Sequence, residues 1–230
     1  MMKKISALVA TSLIMLSGSN VALAQSAPFI QQGDQVFIDV GNNNGTAAVC
    51  TIGYVDAPRK NFTFSGHCSG GKIGAKVFNK NMQYIGNVQE NHYKGQAYND
   101  IAVVSVKNGT IGKNTYSGDR WVAPHEIRYG ETICSRGATS NKVYCGKVTG
   151  KESPNVILAS TQAGGIGGDS GGPAWIPGRG FVGVFFGGTD EKSVFVYPDY
   201  NYGKVKIPTI QDIQRNIQNS IQNAAQMSSL

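Results

Sequence analysis

Three short fragments, read in chain order, constrain this sequence more than anything else in it: Ser65-Gly66-His67-Cys68, then Asn99-Asp100-Ile101-Ala102, then Gly168-Asp169-Ser170-Gly171-Gly172-Pro173. The last places a serine in a tight, glycine-flanked turn where a hydroxyl nucleophile can sit exposed. The first two supply a histidine and an aspartate that can activate it. Their order decides between folds. Gly168 to Gly172 also satisfies the G-x-S-x-G elbow of α/β-hydrolases, in which the acid and the histidine follow the serine. All three histidines, His67, His92 and His125, precede Ser170, so the elbow reading lacks its base. An aspartate ahead of the histidine is available at Asp34, Asp39 or Asp56, but none stands in a recognisable setting. The order His67, Asp100, Ser170 remains.

The first 24 residues read as a secretory signal, with Lys3 and Lys4, an apolar stretch over 5–16, and Ala22-Leu23-Ala24 as a small-residue cleavage site. The apolar run is too short to span a bilayer. Export to the extracellular space is therefore expected, without membrane insertion and with a mature chain starting near Gln25. The segment 25–34 ahead of the first strand is either trimmed for activation or retained in a chain active on export. Four cysteines, Cys50, Cys68, Cys134 and Cys145, suit two disulfides in an exported protein, and three pairings are open. Their spacing contains no Cys-x-x-Cys, which argues against a zinc site, and neither a metal nor a cofactor is expected. The formal charge of +7 is spread along the chain without a basic run, so no nucleic-acid partner is expected.

Thirty glycines and frequent short runs of Val, Ile, Phe, Tyr and Thr indicate an all-β body of brief strands and tight turns. Strands are expected at 35–39, 47–54, 76–79, 82–89, 101–106, 143–148, 156–159, 181–186 and 193–197. Asn44-Gly45 and Asn108-Gly109 are hairpin signals, and 108–124 is the expected crossing between two barrels. Ile210, Ile213, Ile217, Ile221 and Ala224 recur at helical spacing after Pro208 and Thr209, which predicts a C-terminal α-helix over 209–227 docked on its own domain. No internal repeat is visible.

The three fragments together resemble the chymotrypsin-like serine protease family, and the cysteine pattern resembles its secreted bacterial branch, the streptogrisins and α-lytic-type enzymes. The likeness runs from about Cys50 to the C-terminus. Ile133-Cys134-Ser135-Arg136-Gly137-Ala138-Thr139 followed by Val143-Tyr144-Cys145-Gly146 resembles that branch's short disulfide hairpin. The resemblance implies two six-stranded antiparallel Greek-key β-barrels, over 35–120 and 121–230, the second closed by the C-terminal helix. It also implies the pairings Cys50 with Cys68 and Cys134 with Cys145. His67 would be the general base, Asp100 would hold its imidazole, and Ser170 would be the nucleophile. The N–H groups of Gly168 and Ser170 would form the oxyanion hole.

Several positions depart from that family. Ser135 stands where bacterial relatives carry an arginine, which makes Arg136 the candidate partner for Asp169. Ile166 replaces a cysteine, so a third disulfide is missing, and Phe186 replaces a serine that commonly bonds the catalytic aspartate. At the pocket, Gly164 offers no charge, and Phe186 and Gly188 belong to the wall strand. An apolar pocket narrowed by phenylalanine follows, and with it cleavage after apolar residues. The expected function is a monomeric, secreted serine endopeptidase acting on proteins or peptides. The alternatives are a non-catalytic protease-like binding protein and a secreted esterase with the same triad.

Overall fold

In Gln35-Val36-Phe37-Ile38-Asp39 only Val36 and Ile38 are fully buried, the alternation of a strand with one face on a core. That pattern repeats through the computed structural model, which describes residues 26–41 and 47–198. The expected signal at 1–24, the Asn44-Gly45 turn and the helix at 209–227 lie outside the described residues. The strands of the N-terminal half are β1 (Phe29–Ile30), β2 (Gln35–Asp39), β3 (Ala47–Thr51), β4 (Tyr54–Asp56), β5 (Asn61–Phe64), β6 (Lys76–Asn79), β7 (Tyr84–Asn91), β8 (Ala102–Val106) and β9 (Thr110–Ile111). Those of the C-terminal half are β10 (Thr132–Gly137), β11 (Lys142–Ser153), β12 (Val156–Ala159), β13 (Pro173–Ile176), β14 (Gly180–Gly188) and β15 (Ser193–Val196).

Of the two closed barrels expected, the structure has one, a six-stranded barrel in the order β10-β11-β12-β15-β14-β13. The N-terminal half is a seven-stranded sheet in the order β3-β2-β6-β7-β8-β5-β4, and its edges do not pair. Only Ile52 and Gly53 separate its edge strands β3 and β4, so the chain itself joins the two edges. At this break Ile52 leaves the ladder, donating to the Asp34 carbonyl at 2.9 Å and accepting from the Gly33 N–H at 2.9 Å. With β3 and β4 counted as one bent strand, both halves follow the same path. In each, the fourth strand returns to lie beside the first, the spatial order 4-1-2-3 of a Greek key. The repeat invisible in the sequence is present in the topology.

Each half has its own core. Phe62, Phe64, Ile38 and Ile85 centre one, and Ile133, Ile157, Val182 and Phe195 the other. A third cluster lies between them, with Tyr54 and Ile101 from the first half against Phe181, Val184 and Val196 from the second. Asn108-Gly109 does not close a hairpin, because β8 pairs with β5 and β7 while β9 runs parallel to β1. The disulfides are Cys50–Cys68 and Cys134–Cys145, the pairing that the resemblance implies. Among the described residues no helix is long and apolar enough to cross a membrane.

Glu131, just ahead of β10, accepts from the Arg179 guanidinium at 2.6 Å and from the Arg128 N–H at 2.7 Å. Partial burial works against its charge, but these donors outweigh that and hold its carboxyl below the usual range. A depressed carboxyl pKa stabilises the fold above the unfolded-state value and ceases to do so as the pH falls through the folded-state value. Glu131→Gln is therefore expected to lower the melting temperature at pH 7. Thermal melts should show that difference vanishing as the pH falls through the folded-state value.

Candidate active site

His67 sits on a 3₁₀ turn, Gly66–Ser69, that leaves β5 and is tied back to β3 by the Cys50–Cys68 bridge. Two residues earlier, the buried Ser65 hydroxyl donates to the Phe185 carbonyl in the other half at 2.9 Å. Asp100 follows a second 3₁₀ turn, Ala97–Asn99, and is fully buried at the mouth of β8. Its Oδ2 lies 2.8 Å from His67 Nδ1, and its Oδ1 accepts the His67 backbone N–H at 2.7 Å. Both carboxylate oxygens are thus committed to one histidine, which fixes the tautomer with the proton on Nδ1 and leaves Nε2 basic.

Ser170 occupies the connection from β12 to β13. Gly168 and Gly171 on either side have φ of +88° and +86°, the left-handed region that glycine enters without strain. Thr51 pins this loop from the other half, its N–H donating to the Ser170 carbonyl at 2.9 Å and its hydroxyl to the Gly168 carbonyl at 3.0 Å. The N–H groups of Gly168 and Ser170 donate to no acceptor among the described residues. They are two unpaired donors of the kind that can meet a developing oxyanion. The Ser170 hydroxyl makes a 3.5 Å bond to the Phe186 carbonyl and none to His67. Catalytic hydrogen bonds of this type are often long before substrate arrives.

Asp169 differs from expectation. Arg136 is not its partner: that guanidinium donates to the Tyr116 hydroxyl at 2.9 Å and to Asn141 Oδ1 at 2.6 Å, and it also meets the Gly137 carbonyl. The Asp169 carboxylate is buried and accepts two backbone N–H groups instead, Ser140 on Oδ1 at 2.9 Å and Ile166 on Oδ2 at 3.0 Å. Gly137 makes this seat possible, since a Cβ there would stand 2.1 Å from Asp169 Cγ. Ser135 is spent elsewhere, donating to the Ala163 carbonyl at 2.5 Å.

The pocket also differs. A cavity of about 280 Å³ is lined by Gly164 and Gly188, as expected, but Phe186 is not among its walls. Its ring instead meets the His67 imidazole at 5.6 Å between centroids. Tyr144, Thr161, Asp190, Ser193 and the exposed Ile166 also line the cavity. It is a polar pocket, where an apolar one is expected from sequence. Ser193 takes the space beside Gly164, where a Cβ would come within 2.4 Å of its hydroxyl oxygen.

Sequence reasoning misses Thr51, Ser65 and Ser193. Ser65 lies inside the quoted His67 fragment. Thr51 and Ser193 carry no local signal, because each matters only through a residue distant in the chain. His92 and His125 take no part in this constellation.

No family model matches the chain, and no curated protein does. Among solved structures it is similar to a thermostable serine protease, AL20, from an extremophilic microorganism, with a TM-score of 0.51 and 14% identity over 75% of this chain and 96% of that one. It is also similar to an α-lytic protease homolog, N4, with a TM-score of 0.53 and 18% identity over 74% and 93% of the two chains. Together with the two Greek-key halves described above, these likenesses show the fold: the chain has the fold of the chymotrypsin-like serine proteases.

Proposed function

We propose that this chain is a secreted serine endopeptidase, and the observation that carries the reading is the His67–Asp100 pair and the serine loop with two unpaired N–H donors, both bordered by Phe186. Ser170 Oγ attacks the scissile carbonyl carbon as its proton passes to His67 Nε2. Asp100 steadies the imidazolium, and the Gly168 and Ser170 N–H groups hold the oxyanion. Collapse breaks the C–N bond, His67 returns the proton to the leaving amine, and water releases the acyl group by the same steps in reverse. The test is to treat the mature protein with a fluorophosphonate, map the labelled residue, and assay peptides beside simple esters. Labelling at Ser170 with peptide turnover is expected. Esters alone as substrates would indicate the esterase, and no labelling the binding protein.

The pocket supports a preference other than the apolar one. Thr161 and Ser193 line the cavity, the Ser193 hydroxyl donating to the Thr161 carbonyl at 3.3 Å, so an apolar side chain would meet polar walls there. A Lys or Arg end would find them and the Asp190 carboxylate, which has no ion-pair partner among the described residues. In a peptide library, cleavage after Lys or Arg is expected to exceed cleavage after Glu. Asp190→Asn should narrow the ratio by about fivefold, the scale of a solvent-exposed charge pair. A ratio untouched by Asp190→Asn would remove Asp190 from the pocket's selectivity.

A further inference from the structure

Two aromatic rings bear on His67, one from each half of the molecule. The Tyr93 ring lies 6.0 Å from the imidazole, centroid to centroid, with the planes at 67°, and the Phe186 ring lies 5.6 Å away at 85°. Both fall in the range of favourable edge-to-face contacts. The two rings make no ring contact with each other among the described residues, so they bear on the imidazole separately.

Each ring is itself fixed. Asn91, buried at the end of β7, accepts the Tyr93 N–H at 2.8 Å and donates to the Gly66 carbonyl at 2.8 Å and the Ser69 hydroxyl at 2.7 Å. It thereby ties Tyr93 to the turn that carries His67. Phe186 packs against the cluster between the halves that holds Tyr54, Ile101, Phe181 and Val184. Its carbonyl also accepts from the Ser170 hydroxyl, so one residue borders base and nucleophile alike.

We infer that Tyr93 and Phe186 are positioning residues, an aromatic brace that holds the His67 imidazole in line with Asp100 and makes that alignment depend on the docking of the two halves. The inference rests on the endopeptidase reading for its kinetic arm alone. A histidine ring turns about χ2 in a broad, two-fold well, and a single bond at Nδ1 does not fix its plane. Among the described residues Asp100 supplies the ring's only hydrogen bond. Rings packed against the imidazole restrict that turn, and they keep water from the Nδ1–Oδ2 bond, which strengthens it.

The test combines kcat and KM on a peptide with the NMR signal of the His67 Nδ1–H proton, read on the full mature chain. Phe186→Ala and Tyr93→Ala are each expected to lower kcat by about 10–100-fold, the cost of a small misalignment, with KM changed by less than about threefold. In both, the Nδ1–H signal should broaden or vanish through exchange with water. Phe186→Tyr and Tyr93→Phe keep the rings and should restore both readouts. Phe186→Leu keeps the apolar packing without the ring and should behave as the alanine variant does, which decides the matter if Phe186→Ala does not fold. Alanine or leucine variants with near-normal kcat and a sharp Nδ1–H signal would overturn the brace. A wild-type chain that cleaves no peptide would overturn the endopeptidase reading instead, and the proton signal in the variants would still decide the brace.

Discussion

Ser170→Ala is expected to abolish peptide hydrolysis, by about 10⁶ in kcat, while the melting temperature stays within a degree or two. The stability half of this expectation follows from how little the hydroxyl does at rest: its one bond is the long contact to the Phe186 carbonyl. His67→Ala should cost about as much, and the double variant little more than either, because the groups act as a unit. Asp100→Asn should cost about 10⁴, since an amide on the Nδ1 side favours the wrong tautomer. Steady-state assays on one peptide, with protein concentration set by absorbance, give all four values. A Ser170→Ala protein that retains even a few per cent of wild-type turnover would remove this serine from the reaction.

The next largest effect is expected at a residue that touches no substrate. Gly137→Ala would place a methyl group 2.1 Å from Asp169 Cγ, so the carboxylate must leave its seat on the Ser140 and Ile166 N–H groups. The loop that follows carries the Gly168 and Ser170 donors, and losing one such donor costs about 10²–10³ in kcat. A fall of that size is expected, with a lower melting temperature because a buried carboxylate is left without its donors. Arg136→Met is the contrasting variant. A cationic partner for Asp169 would make it as damaging as Gly137→Ala, whereas the observed contacts of Arg136 with Tyr116, Asn141 and the Gly137 carbonyl limit its effect on kcat to about threefold. Equal losses in the two variants would show that Arg136 supports the loop after all.

The strands most legible in the sequence are those whose environment is set locally. Alternation in 35–39 and the apolar runs at 102–106 and 156–159 place three strands to within a residue of their observed bounds. Asn61–Phe64 escapes notice because all four of its residues are buried, two of them polar, so no alternation marks it. Pro173–Ile176 is hidden by the serine motif that runs into it. The three opening fragments are readable because His67, Asp100 and Ser170 each sit in or beside a turn built by their immediate neighbours. What surrounds them is not. Thr51 and Gly168 meet across 117 residues, and Ser65 and Phe185 across 120. The same holds for Asp169, whose donors are backbone groups that any sequence possesses, and for Phe186, whose ring turns toward His67 and away from the pocket because the cluster between the halves receives it.

Both disulfides close loops inside their own half, Cys50–Cys68 in the first and Cys134–Cys145 in the second. No disulfide therefore spans the seam between the halves; among the described residues it is held by apolar contacts, by hydrogen bonds such as those of Ser65 to Phe185 and of Thr51 to the Ser170 loop, and by the peptide thread between β8 and β10. Under pulling force, heat or mild denaturant, the seam has less to hold it than either half. Hydrolysis would then cease while each half still gives a folded spectrum, and it would return on cooling as the halves find each other along their tether. The molecule's working lifetime is in this sense a property of a joint, and oxidising conditions that protect the two lobes do nothing to lengthen it.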